Sequence, residues 1–290
     1  MLKKIKLSIV IVGYKNSEVL IDCLDSILKF NDIGDALEII VVDNSPSKEY
    51  IYYSISKLYK NIKIIKNENN GFGQGNNVGV NESKGEFLLF LNPDTILIEP
   101  IFKYSIRKFE EDEYLVLFGL KLLDKQLKSN SSYFFRYRFG IVHSQLLKIL
   151  QKKDIYIAKK MFISGANIFV RRKQFLEAGM FDPKIFMYGE EADLINRLEN
   201  LNKNYKTAYF KEKRIIHLEG KSSEIKEKSI EERIKSSIYY GKKYNKDYNK
   251  KLKSELRYLQ LKYYIYTIIN DNKSYELKKI IKIYKRYIKR

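Results

Sequence analysis

Along the first hundred residues, short apolar runs alternate with amphipathic stretches. Leu7 to Val12, Glu38 to Val42, Ile62 to Ile65 and Glu86 to Leu91 are rich in β-branched and other apolar residues and are bounded by turn formers, which predicts strands. Between the first two, Val19, Leu20, Cys23, Leu24, Ile27 and Leu28 recur at the spacing of one helix face, behind Ser17 as an N-cap. Strands alternating with helices in this way predict an α/β fold: a Rossmann-like, mostly parallel sheet flanked by helices.

Farther on, the pattern predicts a helix from Pro100 to about Glu111, then strands over Leu115 to Leu123 and Met161 to Arg171. Lys125 to Asp154 mixes Ser, Asn, Tyr, Phe and Arg without a firm period, and is expected to be a mobile surface loop on the substrate side. From Lys226 the chain reads as helical, with Ile230, Ile234 and Ile238 four apart, followed by Tyr244, Tyr248, Leu252 and Leu256. Gly241 is expected to break or bend this helix. No Pro-rich or Gly/Ser-rich linker intervenes, so the extension is expected to pack on what precedes it.

Length and composition add bounds. At 290 residues with 44% apolar content, the chain can bury a sizeable core, and one catalytic unit with an appendage suits that size. No run reaches the roughly 18 apolar residues of a membrane span, Tyr263 to Ile269 being the longest tail candidate. The run after Met1 stops at Gly13-Tyr14 without a small-residue cleavage site, so a core strand is expected there instead of a signal peptide. The single cysteine, Cys23, excludes an internal disulfide and suits a reducing, cytoplasmic compartment, with a buried structural thiol expected. Charge is uneven: from Lys221 to Arg290, 21 Lys and Arg face 8 Asp and Glu, which is +13 of the chain's +20.

In an open parallel sheet, ligands bind beyond the carboxyl ends of the strands. Three polar segments fall there: Gly13-Tyr14-Lys15, Asp43-Asn44-Ser45 and Asn92-Pro93-Asp94-Thr95. Each alone reads equally as a turn. The stretch Asn69 to Asn77 is a glycine-rich turn opening a helix, able to bring backbone amides near a phosphate or ribose. It matches neither the dinucleotide-binding glycine pattern nor the phosphate-binding loop.

Six segments occur in a fixed order: SIVIVGYKNSEVLIDCLDSI, VVDNSPS, NENNGFGQGNNVGV, FLLFLNPDT, FISGANIFVRRKQFLEAGMFDPKIFMYGEEADLINRL and HLEGKSS. Together they resemble glycosyltransferase family 2, with the flavour of its rhamnosyltransferase-like group, over Leu7 to about Ser223. The resemblance implies a GT-A catalytic domain over residues 1–223. Residues 1–98 would bind the nucleotide sugar, residues 99–223 would bind the acceptor, and residues 224–290 form a basic helical extension. It further implies an inverting glycosyltransferase that moves a hexose, such as rhamnose, from a nucleotide-diphosphate donor to a glycan or lipid-linked acceptor in cell-surface polysaccharide synthesis.

Site residues follow from the same resemblance. Asp43 would contact the nucleobase, with Tyr14 and Asn76 flanking base and ribose. The family's Asp-x-Asp metal motif maps onto Asn92-Pro93-Asp94, so Asp94 would ligate Mn2+ or Mg2+ and Asn92 replaces the first acid. His217 would complete the metal shell and Lys221 would touch phosphate. Gly165-Ala166 would form a small-residue turn under the donor sugar. The general base that takes the acceptor's proton maps to Glu191, where the family carries Asp, with Glu190 as its neighbour and rival. A carboxylate pair opening a helix also serves as a plain cap, and Asp193 with Arg197 four residues on reads as a helical ion pair.

The basic extension offers isoleucine and tyrosine on one side and lysine on the others. That pattern predicts peripheral association with an anionic membrane surface, on the inner face of the cell membrane, each basic group contributing about 1 kcal/mol. A nucleic-acid-binding protein would also use such charge, yet it leaves the six ordered segments unexplained, so no nucleic acid partner is expected. A catalytically idle glycosyltransferase-like scaffold is the other alternative, prompted by Asn92 and Glu191.

Overall fold

The apolar runs become strands of one sheet in a computed structural model that describes residues 4–15, 17–46, 52–137, 140–218, 227–269 and 271–288. In chain order the elements are β1 (Leu7–Gly13), α1 (Ser17–Lys29), β2 (Leu37–Asp43), α2 (Tyr52–Leu58), β3 (Lys63–Lys66), α3 (Phe72–Asn81), β4 (Phe87–Leu91) and β5 (Thr95–Leu97). Next come α4 (Phe102–Glu111), β6 (Leu115–Leu123), β7 (Tyr133–Phe135), α5 (Gly140–Lys152), β8 (Met161–Ile163), β9 (Asn167–Arg171), α6 (Arg172–Glu177), α7 (Glu190–Leu201) and β10 (Lys206–His217). Three helices follow: α8 (Glu227–Lys243), α9 (Tyr248–Ile268) and α10 (Lys273–Tyr287).

Among the described residues the main sheet has the order β3-β2-β1-β4-β9-β6-β10-β5. Strands β1 to β4 are parallel, as the alternation predicts. β9 runs antiparallel to β4 and β6, and β5 antiparallel to β10. Period-two alternation divides the side chains between the faces. Ile9, Val41 and Leu89 pack with Leu20, Cys23, Leu24 and Ile27 of α1 and Phe109 of α4. Val10, Val42 and Phe90 pack with Val80, Phe175, Leu194 and Leu198 on the opposite face. Because both faces are covered, the central strands carry nearly continuous apolar sequence.

Three expectations are corrected. Met161 to Arg171 is two strands, β8 and β9, joined by a turn at residues 164–166. Lys125 to Asp154 is not a plain loop: β7 pairs with β8, and α5 follows. Its aromatic residues anchor the core. Tyr133 is buried, donates its hydroxyl to the Leu150 carbonyl (3.0 Å) and meets Tyr156 and Tyr209 edge-on. Nor does Gly241 interrupt α8. A side chain there would meet Tyr248 at 2.7 Å, so the glycine lets the start of α9 cross closely.

The extension does pack on the part that precedes it, by polar contacts from α8 and Tyr244. Ser236 donates to the Met187 carbonyl (2.8 Å) and Asn196 donates to the Tyr240 hydroxyl (2.5 Å). Lys243 lies between two acids, 2.7 Å from Asp182 and 2.6 Å from the fully buried Asp193. Tyr239 bonds Asp182 and Tyr244 bonds Asp193, which also carries the expected pair with Arg197. Burial opposes ionisation of Asp182, but the Lys243 and Tyr239 hydrogen bonds outweigh it and hold its pKa at about 2. The expected boundary near residue 223 lies outside the described residues.

We expect Lys243→Met to leave buried carboxylate oxygens short of a cation and to destabilise the fold by about 1–3 kcal/mol, read by chemical denaturation. In the native protein the Asp182 contribution is present above its unfolded value near 3.8 and fades as pH falls toward about 2. That acid-side loss should flatten in the variant.

Candidate active site

Parallel pairing of β1 with β2 sets Gly13 opposite Asp43 at the carboxyl edge. Asp43 is fully buried, and its carboxylate accepts the Ser45 N–H (3.0 Å), closing a tight turn. The Asn44 N–H donates to the Gly13 carbonyl (2.9 Å), and the Lys15 N–H donates to the Ser45 hydroxyl (2.9 Å), so the two strand ends are tied together. Tyr14 stays 43% exposed beside them.

The glycine-rich segment earns its composition through close packing. An added side chain at Gly75 would meet Val12 at 2.9 Å and Asn44 at 3.1 Å, and one at Gly73 would meet Phe181 at 2.9 Å. Gly71, at φ +108°, abuts the Phe186 backbone, whose carbonyl accepts the Phe72 N–H (2.9 Å). Asn76 is buried and donates to the Phe72 carbonyl within its own helix (3.0 Å), bracing the turn. Asn77, which sequence reasoning passed over, exchanges two hydrogen bonds with the Phe181 backbone (2.8 and 3.0 Å). These contacts bind α3 to the loop ahead of α7.

A second tie forms where β5 pairs with β10. The register sets His217 opposite Thr95, and so beside Asp94. His217 Nε2 lies 3.2 Å from Asp94 Oδ1 and 3.4 Å from the Asn92 amide. The Leu218 N–H donates to the Asp94 carbonyl (2.9 Å). Beneath this turn, Cys23 Sγ lies 3.6 Å from the Thr95 hydroxyl, and burial pushes the thiol up to about 12. It stays protonated, as a structural residue.

The carboxylate pair opens α7 after Gly189, at φ +110°. Glu191 Oε1 accepts the Gly165 N–H at 3.0 Å, and an added side chain on Gly165 would fall 2.5 Å from that oxygen. The next residue, Ala166, accepts the Asn92 N–H through its carbonyl (3.1 Å). Two consecutive residues, with Cα atoms about 3.8 Å apart, therefore join Glu191 to the Asn92-Asp94 turn. Glu190 is 3% exposed and its Oε2 has no hydrogen-bond partner. Burial, then the neighbouring Glu191 charge, pushes the Glu190 carboxyl well above the ordinary range. Burial also raises Glu191, against opposing backbone hydrogen bonds from Gly165 and its own helix start. Both carboxyls are thus pushed up by burial, and the Gly165 hydrogen bond opposes that rise at Glu191.

Among the described residues no three His, Cys, Asp or Glu side chains cluster as a ready metal site. Asp94 and His217 nevertheless fit a divalent ion. Cis ligands at about 2.1 Å from a metal stand about 3.0 Å apart, close to the observed 3.2 Å. One carboxylate, one imidazole and one amide suit Mn2+ better than Mg2+, which favours oxygen throughout. Lys221 lies outside the described residues. Two grooves, of about 460 and 580 Å3, lie elsewhere: one is lined by Lys108, Asp112 and Thr207, the other by Arg136, His143 and Lys246.

Residues 8–179 match the sequence model of the family described as Glycosyl transferase family 2. Rhamnosyltransferase WbbL of Escherichia coli (strain K12) is 27% identical over 206 residues, covering 66% of this chain and 75% of that protein. GalNAc(5)-diNAcBac-PP-undecaprenol beta-1,3-glucosyltransferase of Campylobacter jejuni is 29% identical over 197 residues, covering 65% and 58%. The solved mannosyltransferase PcManGT from Pyrobaculum calidifontis, in complex with GDP-Man and Mn2+, superposes with a TM-score of 0.58 at 11% identity, covering 82% and 63%. This chain thus spans less than two thirds of the Campylobacter relative and of that solved chain. The GT-A-like fold expected from sequence agrees with this superposition.

Gly165→Ala should push the Glu191 carboxylate out of register with the Asn92-Asp94 turn. We expect kcat to fall about 100-fold, the effect of a misplacement near 1 Å, while the melting temperature moves little. Steady-state kinetics beside a thermal melt check this.

Proposed function

We propose that this chain, which belongs to glycosyl transferase family 2, moves a hexosyl group from a nucleotide-diphosphate sugar to a hydroxyl of a glycan or lipid-linked acceptor, with inversion at the anomeric carbon. The observation that carries this reading is the Gly165-Ala166 tie. It sets a carboxylate with a raised pKa against a turn holding a carboxylate, an amide and an imidazole.

In this reading the nucleotide lies along the edge formed by Tyr14 and Asp43, with Asn76 bracing the glycine-rich turn from within. Asn92, Asp94 and His217 hold the diphosphate end. The donor sugar rests on Gly165 and Ala166, where little side chain intervenes. Mn2+ or Mg2+, held by Asp94 and His217, would offset the negative charge that develops on the departing diphosphate. Glu191 removes the proton from the acceptor hydroxyl as that oxygen attacks the anomeric carbon, and the bond to the diphosphate breaks on the opposite face. Glu190, buried beside it, is the rival for the same role. The relatives' names favour rhamnose or glucose as the sugar and an undecaprenol-linked glycan as the acceptor, in surface polysaccharide synthesis. A lipid-linked acceptor and the basic extension together support peripheral attachment at the cytoplasmic membrane face. Asn92 in place of an acid favours one second reading, an idle binding scaffold, which the absence of turnover would establish.

A thermal-shift panel of UDP, dTDP, GDP and CDP with Mn2+ tests donor binding. The matching nucleotide at 100 times its Kd should add about 2.7 kcal/mol, and a flat panel contradicts the proposal. Glu191→Gln should keep that shift and lower kcat about 10²–10⁴-fold. In the native enzyme the ionised Glu191 is the active form and its pKa is raised. Activity should therefore rise with pH along an acid limb centred above the ordinary 4.5, and the limb should vanish in the variant.

A further inference from the structure

The apolar stripe of α8 cannot meet a membrane. Ile230 and Ile234 are buried with Leu252 of α9 and with Ile280, Ile283 and Tyr284 of α10 in the extension's own core. The expectation that this helix presents isoleucine to lipid is corrected: that face holds three helices together.

A different apolar surface remains. α9 is 21 residues long, about 31 Å, and its first half is packed, with Leu252 buried and Ser254 against Gly140 of α5. Beyond Leu259 one face of the helix lies open to solvent. Leu261, Tyr264, Ile265 and Ile268 fall at i, i+3, i+4 and i+7 on one face and are 47–67% exposed, with Ile269 and Tyr275 exposed beyond them. α10 regains the core only at Leu277 and Ile280. Lysines border the tip: Lys262 over Tyr258 (4.7 Å), Lys273 over Tyr266 (5.6 Å) and Lys279 over Tyr275 (4.7 Å). Between residues 257 and 279, five Lys and Arg face two acids.

We propose that the tip of the α9–α10 hairpin is the membrane-contacting element, inserting Leu261, Tyr264, Ile265, Ile268 and Ile269 among the lipids of an anionic surface while the lysines rest on headgroups. This deepens the peripheral attachment proposed above and rests on that reading. Tyrosine suits the boundary between tails and water, and lysine stems lie along apolar surface with the ammonium in water. No helix among the described residues is long and apolar enough to cross a membrane, so contact is at the surface. A second copy of the chain fits less well. A two-fold contact opposes the patch to its own copy, bringing two sets of the same lysines into one interface, whereas an anionic bilayer complements them.

The chain contains no tryptophan, so Ile268→Trp adds a single fluorophore at the tip. The full-length variant is mixed with vesicles of phosphatidylcholine, of phosphatidylcholine with phosphatidylglycerol, and of the latter made with brominated chains. We expect cosedimentation with the anionic vesicles, a blue-shifted emission and quenching by bromine. Ile265→Asp with Ile268→Asp should weaken binding by about tenfold or more, at unchanged mass in sedimentation equilibrium. Cosedimentation with unshifted, unquenched emission overturns the assignment to the tip and leaves peripheral attachment standing. No cosedimentation overturns both, and a lipid-free dimer dissolved by the aspartates assigns the face to a second copy.

Discussion

The site depends on one contact that a single side chain would abolish. Gly165 gives its N–H to Glu191, and the space where its Cβ would stand is taken by the Glu191 carboxylate. Its neighbour Ala166 gives its carbonyl to Asn92. Chemistry from the end of β4 and the start of α7 is therefore held at a separation fixed by one peptide unit, which is stiff. Such fixing gives a pocket its preorganisation, because no group has to travel when charge develops.

Around that contact the molecule adds ties from both directions. The glycine-rich turn grips the loop ahead of α7 through Phe72 and Asn77. From the other side, α8 and the residue after it grip the same loop and helix through Ser236, Tyr239, Lys243 and Tyr244. The helical extension thus belongs to the site's support. It holds the segment from Asp182 to Asp193 that includes Glu190 and Glu191, while its far end projects as an exposed hairpin.

Much of this was legible in the sequence, and what was missed has a physical reason. The leading strands were readable because burial on both faces leaves short continuous apolar runs, and α1 because burial on one face leaves a helical stripe. Asp94 and His217 lie side by side, although nothing local in either segment reveals the β5–β10 pairing that joins them. The stretch from Lys125 to Asp154 was misread because its core anchor is a tyrosine, Tyr133, and α5 leaves Val142, Leu146 and Ile149 exposed, so the apolar period points the wrong way. Lys243 was hidden for a simpler reason: in a lysine-rich tail, no local pattern tells which lysine turns inward toward buried acids. The stripe on α8 was read correctly as apolar but given the wrong partner, since a helix face does not state whether protein or lipid covers it.

The central claim is that the Asn92-Asp94-His217 cluster and Glu191 face one another across a single donor sugar. Its most direct test is crystallographic: the protein grown with Mn2+ and the nucleotide sugar it binds, with data collected at the manganese absorption edge. We expect an anomalous peak about 2.1 Å from an Asp94 oxygen and His217 Nε2, with the sugar lying between that peak and the Glu191 carboxylate. Manganese bound by other residues, or a sugar whose anomeric carbon points away from Glu191, would contradict it.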